Sequence, residues 1–159
     1  MKYILFLITM ITISCDGGLE PLASDQKSFL EVKLNFVNGK DNWPPKDSLY
    51  AIRVAAFKKF PDSSIINDIV AGNAYFTFET LPLEVDTSSA NFEISPTPVN
   101  LVYIAAVQQY DSLITSQRVI GIYTITGDNT KYSNLQIERG KKYSVNINID
   151  FDNLPPMPF

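Results

Sequence analysis

Tyr143-Ser-Val-Asn-Ile-Asn-Ile-Asp-Phe-Asp152 places Tyr143, Val145, Ile147, Ile149 and Phe151 on one side and Ser144, Asn146, Asn148, Asp150 and Asp152 on the other. A side-chain period of two belongs to a β-strand with one packed and one wet face. On a helix the same residues would scatter around the axis, because a helical stripe needs apolar positions three and four apart.

The signature recurs upstream. Leu30, Val32, Leu34 and Phe36 alternate with Glu31, Lys33 and Asn35, and Asn38-Gly39 opens a loop through Lys40-Asp-Asn-Trp-Pro-Pro-Lys-Asp-Ser48. Tyr50, Ile52, Val54 and Ala56 form a second run whose other face carries only one charge, Arg53, which predicts a central strand. Phe76 and Phe78 predict a third strand, and Phe92 and Ile94 a short fourth closed by Pro96 and Pro98. Leu101 to Tyr110 predicts a long, almost wholly apolar fifth strand, with alanines at 105 and 106. Val119 to Ile125 follows, with Gly121 suggesting a bulge or a close backbone approach. Residues 65–73 allow a short helical turn, and Leu135-Gln-Ile137 reads as a weak strand segment. About seven short strands without a long amphipathic helix predict an all-β chain, a single antiparallel β-sandwich over residues 29–152. Leu34, Val54, Ile104, Ile147 and Ile149 are expected in its core.

The 159 residues are 45% apolar and 19% charged, with a formal net charge of -4, one cysteine and no histidine. A nucleic-acid reader would show a basic stripe, and this chain has none. Without histidine there is no His-based triad, no His zinc site and no usual general base near neutral pH. A single cysteine removes disulfide frameworks and thiolate clusters. Gly-x-Ser-x-Gly, phosphate-cradling glycine loops and dinucleotide fingerprints do not occur. The expectation is a protein that is not an enzyme and carries no cofactor.

Lys2 precedes the eleven-residue run Tyr3 to Ile13, then come Ser14 and Cys15. As a helix the run reaches about 16–17 Å, against about 30 Å of hydrocarbon in a bilayer. It is too short to span a membrane and fits a signal-peptide core. A small residue before the sole cysteine resembles the lipobox of bacterial lipoproteins, whose signal peptidase cuts before a diacylglycerol-modified cysteine. Thr12 stands where that pattern prefers leucine, with Ile11 one position earlier. The resemblance implies a signal peptide over 1–14, a lipidated tether over 15–28 beginning at Cys15, and anchoring in the cell envelope, at the outer membrane. Attached acyl chains would then be the membrane partner.

The tether Cys15-Asp-Gly-Gly-Leu-Glu-Pro21 also resembles that of a group of uncharacterised bacterial lipoproteins. These share a segment like Trp43-Pro44, Asp47-Ser-Leu49, Ile52-Arg-Val54, Ala56-Phe-Lys58 and Phe60-Pro61, and a closing Asn148-Ile-Asp-Phe151. The resemblance implies an immunoglobulin-like or transthyretin-like (prealbumin-like) sandwich and no known activity.

Three features are candidate sites. The row Asn146, Asn148, Asp150 and Asp152 offers oxygen ligands, but a straight strand spaces them about 6.6–6.8 Å apart and does not converge them on an ion, so no metal is assigned. Trp43, the only tryptophan, can either stack on a sugar with Tyr50, Tyr110 or Tyr132 or fold back to plug one end of the sandwich. The Pro-rich tail 153–159 can dock as a polyproline segment or pack through Leu154, Met157 and Phe159. The expected function is a non-catalytic, lipid-anchored module that binds an envelope protein or supports an assembly. The alternative is a carbohydrate-binding lipoprotein that uses Trp43 to hold a glycan.

Overall fold

A computed structural model describes residues 27–62 and 65–158. The expected signal peptide, most of the tether with Cys15, and Phe159 lie outside the described residues. Among the described residues there are nine strands and one short α-helix: β1 (Ser28–Phe36), β2 (Ala51–Phe57), α1 (Ile65–Val70), β3 (Ala74–Phe76), β4 (Thr87–Ile94), β5 (Val99–Leu101), β6 (Tyr103–Gln109), β7 (Gln117–Ile122), β8 (Leu135–Ile137) and β9 (Lys142–Ile149). The chain is an all-β sandwich. One sheet has the order β4-β1-β9 and the other β3-β2-β6-β7, with a small β5-β8 ribbon beside them.

Alternation decides the first sheet. β1 buries Leu30, Val32, Leu34 and Phe36, β4 buries Ala90, Phe92 and Ile94, and β9 buries Val145, Ile147 and Ile149. These inner faces meet Ile52, Val54, Ala56, Ile104, Ala106 and Ile120 from the second sheet in one core. All five expected core residues are fully buried. β1 pairs antiparallel with β4 and parallel with β9, so one pair departs from the otherwise antiparallel pattern. Parallel neighbours need a long crossover, and here the whole intervening chain supplies it.

β2 is central, as its composition predicts, and β6 lies beside it. Every residue of β6 is buried, because its second face also carries a core. That outer core gathers Ala55, Phe57, Phe76, Tyr103, Ala105, Val107, Val119 and Ile122, with Ile65 and Ile69 of α1 packed on it. Three segments differ from the sequence reading. β4 begins at Thr87, well before Phe92, because its Thr-Ser-Ser stretch is held by pairing with β1 rather than by large apolar side chains. The 101–110 run divides into β5 and β6, and Phe78 lies beyond β3 with its ring 79% exposed.

Two glycines are required by geometry. Asn38 and Gly39 both take positive φ, 64° and 61°, in the turn that leaves β1. A Cβ on Gly39 would sit 2.4 Å from Asp86 Oδ1, the oxygen that accepts the Lys40 amide at 3.0 Å. Gly121 fulfils both alternatives read from its sequence position. Ala106 pairs with Gly121 and Val107 with Val119, so Ile120 is bulged out of register. A Cβ on Gly121 would lie 2.6 Å from Ile147 Cγ2, 2.9 Å from Ile149 Cγ1 and 3.2 Å from the Asn148 carbonyl oxygen. The bare backbone lets β7 of one sheet close onto β9 of the other.

Gly121→Ala is therefore expected to lower unfolding stability by about 1–3 kcal/mol, the usual cost of overpacking a filled core. Ile147→Ala, at a fully buried site, is expected to cost about 2–5 kcal/mol. Urea denaturation measures both, and equal stability of the Gly121 variant and the parent would refute the close approach.

Candidate functional site

Trp43 reaches its position through two short 3-10 turns, Gly39–Asn42 and Lys46–Ser48, which flank the rigid Pro44-Pro45 pair. Its ring lies 4.4 Å from Phe36 and 5.4 Å from Phe151, and its Nε1–H donates to the Val85 carbonyl at 3.2 Å. The side chain is half-buried against the main core. This is the plugging arrangement. The three tyrosines considered as its companions stand elsewhere. Tyr132 packs on Phe60 at 5.0 Å and Tyr103 at 5.5 Å, while Tyr50 and Tyr110 flank the paired ends of β2 and β6. Among the described residues, no ring contact joins any of them to Trp43.

Burial raises the Tyr103 hydroxyl well above its ordinary value, with the neighbouring Tyr132 adding to the shift. Asp128 moves the other way, held down at about 2 first by the Thr130 hydroxyl and backbone amide and then by Lys131. Its Oδ1 accepts Thr130 Oγ1–H at 2.6 Å, and its Oδ2 lies 3.1 Å from Lys131 Nζ. Asp128 is therefore anionic throughout the neutral range.

The tail packs. Pro155 is buried, Leu154 joins the main core, and the Asn153 carbonyl accepts Asn129 Nδ2–H at 2.7 Å. Met157 Sδ accepts the Val119 amide at 3.3 Å, which covers part of the β7 edge. Of the three residues expected to pack, Phe159 lies outside the described residues.

Two polar residues of β9, with Asp150 just beyond its end, line a cleft of about 390 Å³ between β7 and β9. Asn146, Asn148 and Asp150 form one wall, Thr124, Asp128 and Asn129 come from the turn after β7, and the buried Ile120, Ile122 and Pro155 complete the lining. Asp152 is not part of it; its Oδ2 accepts Asn42 Nδ2–H at 3.1 Å. Among the described residues, no three His, Cys, Asp or Glu side chains gather to hold a metal ion.

A corner patch, absent from the sequence reading, joins distant segments. Arg53 donates from Nε to the Phe78 carbonyl at 3.2 Å and from a terminal nitrogen to Gln109 Oε1. Gln109 Nε2 donates to the Asp111 carbonyl at 2.6 Å, and Asp111 Oδ1 accepts the Leu113 amide at 2.6 Å. The Tyr50 amide donates to the Gln109 carbonyl at 2.9 Å. Around this network Tyr50, Phe78, Leu113 and Ile114 are all exposed. Only Gln109, a polar residue closing an apolar strand, hints at it in sequence.

Comparison with protein-family models, curated proteins and solved structures finds no match.

Trp43→Ala is expected to cost about 2–4 kcal/mol, the lower part of the range for a large aromatic because the ring is only half-buried. Chemical denaturation reads this directly, and an unchanged midpoint would mean that the ring is not a plug. For Tyr103 the folded value is raised, so its contribution is whole below the unfolded value of about 10 and declines as pH rises above it. Alkaline spectrophotometric titration should find one tyrosine ionising only with unfolding, and Tyr103→Phe should remove that late transition.

Proposed function

We propose that the chain is a non-catalytic, lipid-anchored envelope protein, acylated at Cys15, that binds a partner protein through the Tyr50, Arg53, Phe78, Leu113 and Ile114 corner. The observation that carries the reading is the exposed set of large apolar side chains around a hydrogen-bonded arginine. Aromatic residues and arginine are enriched in the cores of protein interfaces, and single truncations there remove most of the binding energy. Arg53 also lies with its guanidinium carbon 5.9 Å from the centroid of the Phe76 ring, and Phe76 meets Phe78 edge-on at 6.1 Å. That arrangement pre-sets the patch and lowers the ordering cost of association. The acylation half of the proposal rests on Ser14-Cys15 and the apolar run before them. Carbohydrate binding through Trp43 is the weaker reading, because its half-buried ring packs on Phe36 and Phe151 and no tyrosine joins it.

Two measurements on the full chain in its native envelope test the proposal. A photo-crosslinking side chain at position 78 should give one discrete protein adduct, absent when it is placed at Val70 on α1 and lost with Leu113→Asp. Fatty-acid labelling should disappear in Cys15→Ala. No adduct at position 78, or an equal one at position 70, refutes the partner surface; label retained without Cys15 refutes the anchor.

A further inference from the structure

The cleft between β7 and β9 has features that ordinary sheet packing does not require. Along β9 the carbonyls of Lys141 and Ile149 accept from Phe29 and Val37 of the β1 side, at 3.0 and 2.8 Å. Backbone direction alternates along a strand, so Asn146 and Asn148 turn their N–H and C=O groups away from β1, toward β7. The Asn148 carbonyl oxygen near Gly121 agrees with that geometry. Two strand edges thus face each other without forming a ladder among the described residues.

Side-chain capacity is also unspent. Asn146 makes no side-chain hydrogen bond among the described residues, and Asn148 uses only Oδ1, which accepts Asn35 Nδ2–H at 3.3 Å. Asn129 spends its Nδ2 on the Asn153 carbonyl, which ties the tail to the turn after β7. Carboxamides donate and accept at once, as a sugar hydroxyl does. No lysine or arginine lines the cleft, Asp150 does, and Asp128 there is already paired with Lys131, so an anionic ligand finds no cation to hold it. The volume lies within the range of small-molecule pockets. An extended peptide fits less well, because β7 abuts β9 at Gly121 and leaves too short a free edge for strand addition.

We infer that the β7–β9 cleft binds a neutral, polyhydroxylated ligand, a segment of an uncharged glycan, through Asn146, Asn148 and the edge backbone between the two sheets. This site is separate from the corner patch and from Trp43.

The test titrates the full chain in detergent with maltohexaose, cellohexaose, mannohexaose and xylohexaose, reading affinity by calorimetry and Asn side-chain amide shifts by NMR. At least one hexasaccharide should bind at up to millimolar concentration and shift the amides of Asn146 and Asn148. Asn146→Ala should weaken binding by about tenfold, the scale of one lost hydrogen-bonding side chain, with an unchanged melting temperature. Asn91→Ala, on β4 and outside the cleft, should bind as the parent does. The inference fails if none of the four sugars binds, if Asn146→Ala leaves affinity intact, or if the shifts fall around Trp43. It also fails if calcium chloride alone reproduces the Asn146 and Asn148 shifts, since that would mark a cation site.

Discussion

β1 is hydrogen-bonded on both sides, and the arrangement of the sandwich follows from that. Its antiparallel partner β4 comes from the middle of the chain, and its parallel partner β9 comes from the end of the domain. The three-stranded sheet therefore cannot form until Lys142–Ile149 has found Phe29–Phe36 across more than a hundred residues. Pairings of such long range are slow to form, since loop-closure entropy must be met before the contacts return anything. The second sheet is more local, a β2-β3 hairpin and a β6-β7 hairpin joined along β2 and β6.

Once β9 is fixed by β1, its Ile147 and Ile149 side chains set the position of β7, and only glycine at 121 allows the approach. The same contact creates the cleft: tight packing at Gly121 holds the two edges together at one point, while the turn after β7 and the tail diverge around Asn146 and Asp150. The bulge at Ile120 lets a single strand serve both cores, sending Ile120 inward while Val119 and Ile122 join the outer one.

Elements whose residues contain their own explanation were legible in the sequence. β9 and β1 alternate along their whole length, and Gly121 stands out in a strand of branched side chains. Those set by distant partners were not. Thr87 to Ser89 have no strand signature without β1, and the parallel pairing of first and last strands leaves no trace in either one. The site was half legible. Asn146, Asn148 and Asp150 were recognisable as a polar row, but their facing wall of Thr124, Asp128 and Asn129 is supplied by tertiary packing alone. The corner patch left only the hint of Gln109 for the same reason, since Gln109 and Arg53 link the segments of Tyr50, Phe78 and Leu113.

Parallel pairing of the first and last strands gives the domain a mechanical character. A pull on its two ends draws β1 toward its N-terminus and β9 toward its C-terminus, in opposite directions along neighbouring rails. The eight registered positions from Phe29–Lys142 to Phe36–Ile149 are then loaded in shear. They must yield together, whereas a hairpin pulled from its open end unzips one rung at a time. A chain held at one end and tugged at the other would thus carry its load on the ladder that closes the fold.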